Sequence, residues 1–330
     1  MNRATMPPLL DVQNLVVDYL TPTRVVRAVD SVSFDVQPGE IVGLAGESGC
    51  GKTTAAHAIL RLLRPPAEIS GGRILFHGDD LLTLDDKALR AFRWRNVSIV
   101  FQSAMNALNP VISIADQFLD TFQAHERISK KAVMTRAEEL MSLVGIDGSR
   151  LRSYPHELSG GMRQRVVIAL ALALNPDLIV MDEPTTALDV VIQRDILQQI
   201  EDLQKRLNFA VLFITHDLSL LVEFSRRIAI MYAGKLVEFS AAKDLFHNPQ
   251  HPYTVGLMDS FPSLTGARKA LTGIPGSPPD LGAPPDGCRF NPRCPRVMDI
   301  CHTVEPRLAE YAPSHFTACH LYPAALRADA

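Results

Sequence analysis

Residues 41–54 read Ile41-Val42-Gly43-Leu44-Ala45-Gly46-Glu47-Ser48-Gly49-Cys50-Gly51-Lys52-Thr53-Thr54. The opening apolar run is the pattern of a short buried strand. The adjoining segment, Gly46 to Thr53, matches G-x-x-x-x-G-K-[ST] in full. Phosphate oxygens are wrapped by backbone N–H groups, so the chain must come close and take unusual dihedrals, which Gly46, Gly49 and Gly51 permit. A helix expected from Lys52 to Leu63 adds free donors and a favourable dipole at its start. Lys52 is placed to reach the β- and γ-phosphates, and the Thr53 hydroxyl to ligate Mg²⁺. Cys50 inside the loop reads as a small tolerated residue, since no base lies near it in sequence. A strand, a complete loop and a helix in that order predict an α/β nucleotide-binding fold.

Two further apolar strands end in polar chemistry. Leu178-Ile179-Val180-Met181 leads into Asp182-Glu183-Pro184, and Ala210 to Thr215 leads into His216-Asp217. Ligands of parallel sheets gather at such carboxyl ends. Asp182 is the natural Mg²⁺ partner and Glu183 the candidate for polarising an attacking water. A lone histidine is more often structural than catalytic, and His216 gains its interest only from its place in the chain. Gln102 comes after the apolar run Val97 to Phe101. Between the loop and the acidic strand lies Leu158-Ser159-Gly160-Gly161-Met162-Arg163-Gln164-Arg165. Its Ser and two Gly residues precede a helix expected from Met162 to Leu174, giving an anion-binding turn without a lysine of its own. The plain alternative is an ordinary capped helix.

In this order the segments resemble the ABC-type ATPases: phosphate loop, Q-loop glutamine (Gln102), signature (Ser159, Gly160, Gly161, Gln164), Asp182-Glu183, D-loop (Thr185 to Asp189) and switch histidine (His216). The resemblance implies a RecA-like core, an antiparallel β subdomain and an α-helical subdomain. It implies ATP held by Gly46, Glu47, Ser48, Gly49, Cys50, Gly51, Lys52, Thr53 and Thr54, with adenine stacked on Tyr19. Mg²⁺ is then held through Thr53, Gln102 and Asp182, and catalysis falls to Glu183, His216 and Gln102. It also implies that the signature faces ATP on a second ATPase subunit, with Asp189 near that junction.

The chain has 330 residues, 47% hydrophobic, and a net charge of −3. There is no basic footprint for nucleic acid. Its longest apolar stretch, Val166 to Leu174, falls far short of the roughly twenty residues a membrane span needs. The N-terminus carries no apolar h-region, so a cytosolic protein is expected, with membrane contact made through partners. Helical patterning dominates from Ile114 to about Val144, within an α-helical subdomain expected over about 110–175. Strands are expected over Leu10–Tyr19, Val29–Val36, Ile41–Ala45 and Arg73–Phe76. On the helix expected from Val190 to Leu207, Ile192, Ile196, Leu197, Ile200 and Leu203 share one apolar face.

Beyond Asn248 the character changes, and residues 249–330 read as an extension of an ATPase domain over 1–248. Residues 273–287 are rich in Pro and Gly, the composition of an irregular linker. Four of the five cysteines, Cys288, Cys294, Cys301 and Cys319, fall in this tail. Disulfides are disfavoured in a reducing compartment, and no short C-x₂₋₄-C knuckle is present for zinc. Irregularly spaced thiolates suit a four-iron cluster. Zinc, including a mixed site with His302, His315 or His320, and free thiols stay as alternatives. Arg289, Arg293 and Arg296 are expected to offset thiolate charge.

Three stretches sharpen the resemblance: Gln102-Ser103-Ala104-Met105-Asn106-Ala107-Leu108-Asn109-Pro110, His251-Pro252-Tyr253-Thr254, and Gly287-Cys288-Arg289-Phe290-Asn291-Pro292-Arg293-Cys294-Pro295. Together they resemble the ATP-binding subunits of bacterial oligopeptide/dipeptide permeases, some of whose relatives carry nickel. The resemblance implies ATP-driven import of short peptides, at the cytoplasmic face of the inner membrane. The partners it implies are a homologous or identical ATPase, two transmembrane permease subunits and an extracytoplasmic solute-binding protein. It also implies a 4Fe-4S cluster in the tail. A soluble ABC-type ATPase acting on DNA or ribosomes, an exporter, or a metal- or redox-gated regulator are the rival readings.

Overall fold

The computed structural model describes residues 7–102, 107–185, 189–260 and 273–322. In chain order its elements begin with β1 (Leu10–Leu20), β2 (Val25–Val36), β3 (Ile41–Ala45), α1 (Lys52–Ile59), β4 (Ala67–Phe76) and the short β5 (Asp79–Asp80). Then come α2 (Asp86–Phe92), β6 (Val97–Val100), α3 (Ile114–Gln123), α4 (Lys130–Leu143), α5 (Gly160–Ala171), β7 (Leu178–Asp182), α6 (Val190–Leu207) and β8 (Ala210–Ile214). The last are α7 (Leu218–Phe224), β9 (Arg227–Tyr232), β10 (Lys235–Ala241), α8 (Ala242–His247), α9 (Pro252–Asp259), β11 (Ala309–Ala312) and β12 (His315–Thr317). Contacts divide the chain into two compact units, the first made of residues 1–36, 41–82 and 214–330, the second of 37–40 and 83–213.

In the first unit, an antiparallel sheet runs β2-β1-β4-β5. Its strands are rich in β-branched residues and bury Leu10, Val12, Leu15, Val17, Val29, Val32, Phe34, Ile74 and Phe76. Such residues suit a pleated surface with one packed face. β4 begins at Ala67, six residues before the expected Arg73, because its pairing with β1 (Tyr19 with Ala67, Val17 with Ile69) carries it through Gly71 and Gly72. A second set of strands lies in the order β11-β12-β10-β9-β3, with β3 parallel to β9 and β10 antiparallel to it. All of β3 is buried, as a strand covered on both faces must be. The tail joins this set through β12, where Phe316 pairs with Phe239 and Thr317 with Glu238.

In the second unit, β6 and β7 pair in parallel from Val97 with Leu178 to Val100 with Met181. Helices α3, α4 and α5 start at Ser113, Ser129 and Ser159, whose hydroxyls accept N–H bonds from the first turns. Their packed faces bury Ile114, Phe118, Phe122, Val133, Leu140 and Met141, as the helical patterning over 114–144 predicts.

Two helices are shorter than expected. α1 stops at Ile59 rather than Leu63, since Arg61 takes φ 50°. α5 starts at Gly160 and stops at Ala171 rather than Leu174, with Asn175 at φ 51° closing the turn beyond it.

Candidate nucleotide site

The phosphate loop belongs to the first unit, between β3 and α1. Its backbone is pressed against its surroundings. A Cβ on Gly46 would lie 2.1 Å from the Met231 carbonyl oxygen, and one on Gly51, at φ 105°, only 2.3 Å from that of Ala28. No side chain fits at either position, which is why the motif needs glycine there. Lys52 is 5% exposed and reaches back along the loop, donating to the carbonyls of Gly46 at 2.7 Å and Glu47 at 2.9 Å. Ser48, Gly49 and Thr53 are exposed. Cys50 is buried, and burial raises its thiol above the usual range, so it is an unreactive wall of the loop. The Tyr19 hydroxyl lies 3.3 Å from the Thr54 hydroxyl, joining residues 35 positions apart at the start of α1. His216 is exposed just past β8, and the Asp217 carboxylate caps α7 by accepting the N–H groups of Ser219 and Leu220.

In the second unit, Asp182 ends β7 and is 1% exposed. Glu183, next to it, takes φ 46° immediately before Pro184. A residue before proline ordinarily stays extended, so this left-handed backbone costs about 1–3 kcal/mol. Such strain re-aims the side chain away from the strand direction. The Gln102 amide donates to the Glu183 carboxylate at 2.8 Å, bringing together two residues 81 positions apart. Thr185 is buried and accepts from the Gln193 amide at 2.9 Å.

The signature residues sit at the start of α5. Ser159 is exposed and caps the helix by accepting the Met162 N–H at 3.3 Å. Gly161 is buried, with Ile192 3.0 Å from where its Cβ would be. Gln164, expected beside these residues, is only 2% exposed and faces the interior. Asp189 is exposed and caps α6 through the Ile192 N–H at 3.0 Å. Thr186, Ala187 and Leu188 of the D-loop, and residues 103–106 after Gln102, lie outside the described residues.

Cys288, Cys294, Cys301 and Cys319 all line one small cavity in the first unit, together with His251, Arg296 and His320. The approach is close: Gly287 takes φ 64°, a Cβ there would lie 2.4 Å from the Cys301 carbonyl oxygen, and the Cys288 N–H donates to that oxygen at 2.8 Å. Burial pushes the Cys288 and Cys319 thiols up to about 11, and that of Cys294 upward too. Among the described residues, no group of three or more His, Cys, Asp or Glu side chains is gathered to hold a metal ion.

The arginines expected to offset these thiols divide. Of the three, only Arg296 lowers Cys294 and Cys319. Arg289 instead bonds Asp30 and the Ala233 carbonyl oxygen, and Arg293 bonds Glu47 of the phosphate loop. Their guanidiniums find carboxylates brought near by the fold, a stronger attraction than protonated thiols offer. Of the tail histidines, His315 donates or accepts at 2.7 Å with the buried Glu238, and the His320 Nε2 bonds the Val304 carbonyl oxygen. Sequence reasoning missed the contacts of Arg293 and Tyr253 with Glu47, because separations of 246 and 206 residues leave no local signal.

Residues 29–186 match the ABC transporter family, and residues 237–301 match the family described as oligopeptide/dipeptide transporter, C-terminal region. A dipeptide transport ATP-binding protein of Bacillus subtilis is 46% identical over 96% of this chain and 95% of its own length. An oligopeptide transport ATP-binding protein of the same organism is 43% identical over 93% of this chain and 87% of its own length. The chain belongs to the ATP-binding proteins of ABC-type oligopeptide/dipeptide transporters. Solved structures agree on the fold. A dimeric bacterial ABC transporter cassette, and the post-hydrolysis state of that cassette with ADP and phosphate, each superpose with a TM-score of 0.63. Each is 27% identical and covers 71% of this chain and 98% of its own. The protein is thus a P-loop ABC-type ATPase. Among its described residues, no helix is long and apolar enough to cross a membrane.

Proposed function

We propose that this ATPase hydrolyses Mg²⁺–ATP to power the import of short peptides, as a nucleotide-binding subunit at the cytoplasmic face of the membrane. The observation that carries the chemistry is the Gln102–Glu183 hydrogen bond, which joins the expected water-activating carboxylate to the expected Q-loop glutamine. The names of the relatives, which match across the tail as well as the core, support the peptide solute.

In this reading the loop over 46–54 holds the phosphates, Tyr19 meets the adenine, and the oxygens of Thr53, Asp182 and Gln102 suit Mg²⁺, a hard cation. Magnesium neutralises phosphate charge when bound. Glu183 orients or deprotonates the attacking water, and His216 holds it in line. Ser159, Gly160 and Gly161 face ATP on a second ATPase subunit, with Asp189 beside that junction. The permease subunits supply the membrane spans, and an extracytoplasmic protein delivers solute. Residues 1–248 form the ATPase domain and 249–330 its extension.

The tail holds a 4Fe-4S cluster in a structural role. Four thiols lining one cavity support this reading, although the described side chains are not gathered into a ready metal site. Anaerobic purification with iron and zinc analysis tests it: a colourless, iron-free, zinc-loaded chain rejects the cluster.

Glu183→Gln in the intact transporter tests the mechanism. ATP binding persists and a closed dimer accumulates, while hydrolysis falls about a hundredfold or more. Normal turnover removes Glu183 from its role.

A further inference from the structure

The phosphate loop of this protein carries an acid. Glu47 stands one residue after the first glycine of a loop that must attract a triphosphate, and it is partly exposed. An uncompensated carboxylate there repels the ligand at short range. Compensation comes from the far end of the chain. Arg293 donates from its two terminal nitrogens to the two Glu47 oxygens, at 2.7 and 2.9 Å, a planar fork against a planar carboxylate. The Arg293 side chain is 5% exposed, and its Nε donates to the Pro275 carbonyl oxygen at 2.8 Å. Its guanidinium carbon lies 5.7 Å from the ring centre of Tyr232 and 6.0 Å from that of Phe290. The arginine is thus fixed by the tail and by Tyr232 of β9 before it meets the loop. A second tie runs to the backbone, where the Glu47 N–H donates to the Tyr253 hydroxyl at 2.8 Å. Tyr253 is fully buried, packed among Tyr232 and Phe290.

We propose that Arg293 and Tyr253 are positioning residues of the ATP site. Arg293 cancels the charge of Glu47 and fixes its side chain, and Tyr253 fixes the Glu47 peptide. The C-terminal extension is thereby a working part of the phosphate loop. Arg293 immediately precedes Cys294, so the cysteine-lined segment and the ATP loop are joined by one side chain. This inference rests on the reading of residues 46–54 as the ATP loop.

The test measures binding of a fluorescent ATP analogue to the full chain with Mg²⁺, alongside ATPase KM and kcat in the assembled transporter. Arg293→Gln weakens binding and raises KM about tenfold, the scale of losing one charge-assisted pair that is partly screened by solvent, while kcat falls less. Arg293→Lys lands between, keeping the charge without the fork. The decisive variant is Glu47→Gln combined with Arg293→Gln. With the stranded carboxylate removed, affinity recovers most of the tenfold loss, although the contact between loop and tail is still broken. Tyr253→Phe, which removes only the hydroxyl, weakens binding about threefold. The proposal is overturned if Arg293→Gln binds within twofold of the parent, or if the double variant binds no better than the single one. Lys52→Ala separates the two levels. If it binds normally, the loop reading itself is wrong. If it fails to bind while Arg293→Gln binds normally, only the positioning role is lost.

Discussion

Two glycine-rich turns of this protein lie at helix starts, and they are built in opposite ways. The phosphate loop is braced on every side: β9 and β2 carbonyls crowd Gly46 and Gly51, Lys52 spans its carbonyls, and the tail grips Glu47. The signature turn is crowded at Gly161 by the Ile192 side chain, but among the described residues no lysine or distant polar side chain grips it. Ser159 is exposed, and its hydroxyl is occupied by its own cap to Met162. Both turns stand at the positive end of a helix. Only the first carries a lysine within its own motif. A braced loop with a cation suits a triphosphate alone, whereas in the proposed reading the signature turn acts on a phosphate that a second subunit holds.

The sharpest break of this contrast is Lys52→Ala. Removing the one ammonium of the braced loop lowers the ATP affinity of the isolated chain about a hundredfold. Ser159→Ala is the matching change in the other turn. It costs the cap about 1 kcal/mol and weakens ATP-driven dimerisation about fivefold, while single-chain ATP affinity moves far less. Sedimentation with and without ATP in the Glu183→Gln background reads the dimer. Equal losses of single-chain affinity in the two variants would dissolve the distinction.

A third test concerns the support behind the braced loop. His251 is buried, its Nδ1 accepts the Tyr253 N–H at 3.0 Å, and burial lowers its pKa to about 4 from 6.5. The neutral ring is the folded form, so its contribution is complete above about pH 6.5 and is lost as pH falls through about 4. At pH 5 the loss amounts to about 2 kcal/mol by linkage. His251→Asn keeps an acceptor for the Tyr253 N–H and removes the titration. Its melting temperature falls less between pH 7 and pH 5 than that of the parent, and parallel curves would clear His251 of that role.

How much was legible in the sequence varies with distance along the chain. β3, the phosphate loop and the start of α1 were readable because the strand, the glycines and the lysine are contiguous and each enforces the next. The bounds of α6 were equally plain, and Ile196, Leu197, Ile200 and Leu203 of its expected face are buried while Ile192 is half-buried; the structure adds Asp189 as the cap and Asn208 at φ 57° as the stop. The ends of α1 and α5 were not, because apolar residues continue past the point where Arg61 and Asn175 turn left-handed. Arg293 misled for a related reason. Its neighbour in sequence is a cysteine, but its neighbour in space is a carboxylate 246 residues away.

The sequence by itself determined the chemistry at each point: which loop wraps phosphate, which strand ends in acids, and which turn starts with serine and two glycines. These arise from backbone dihedrals and hydrogen-bond donors fixed within a few residues. The tertiary structure alone decided which charges meet. It set Gln102 on Glu183, Tyr19 beside Thr54, and Arg293 and Tyr253 on Glu47. Coulomb and hydrogen-bond energies depend on separation in space, and only the packing of distant segments fixes that separation.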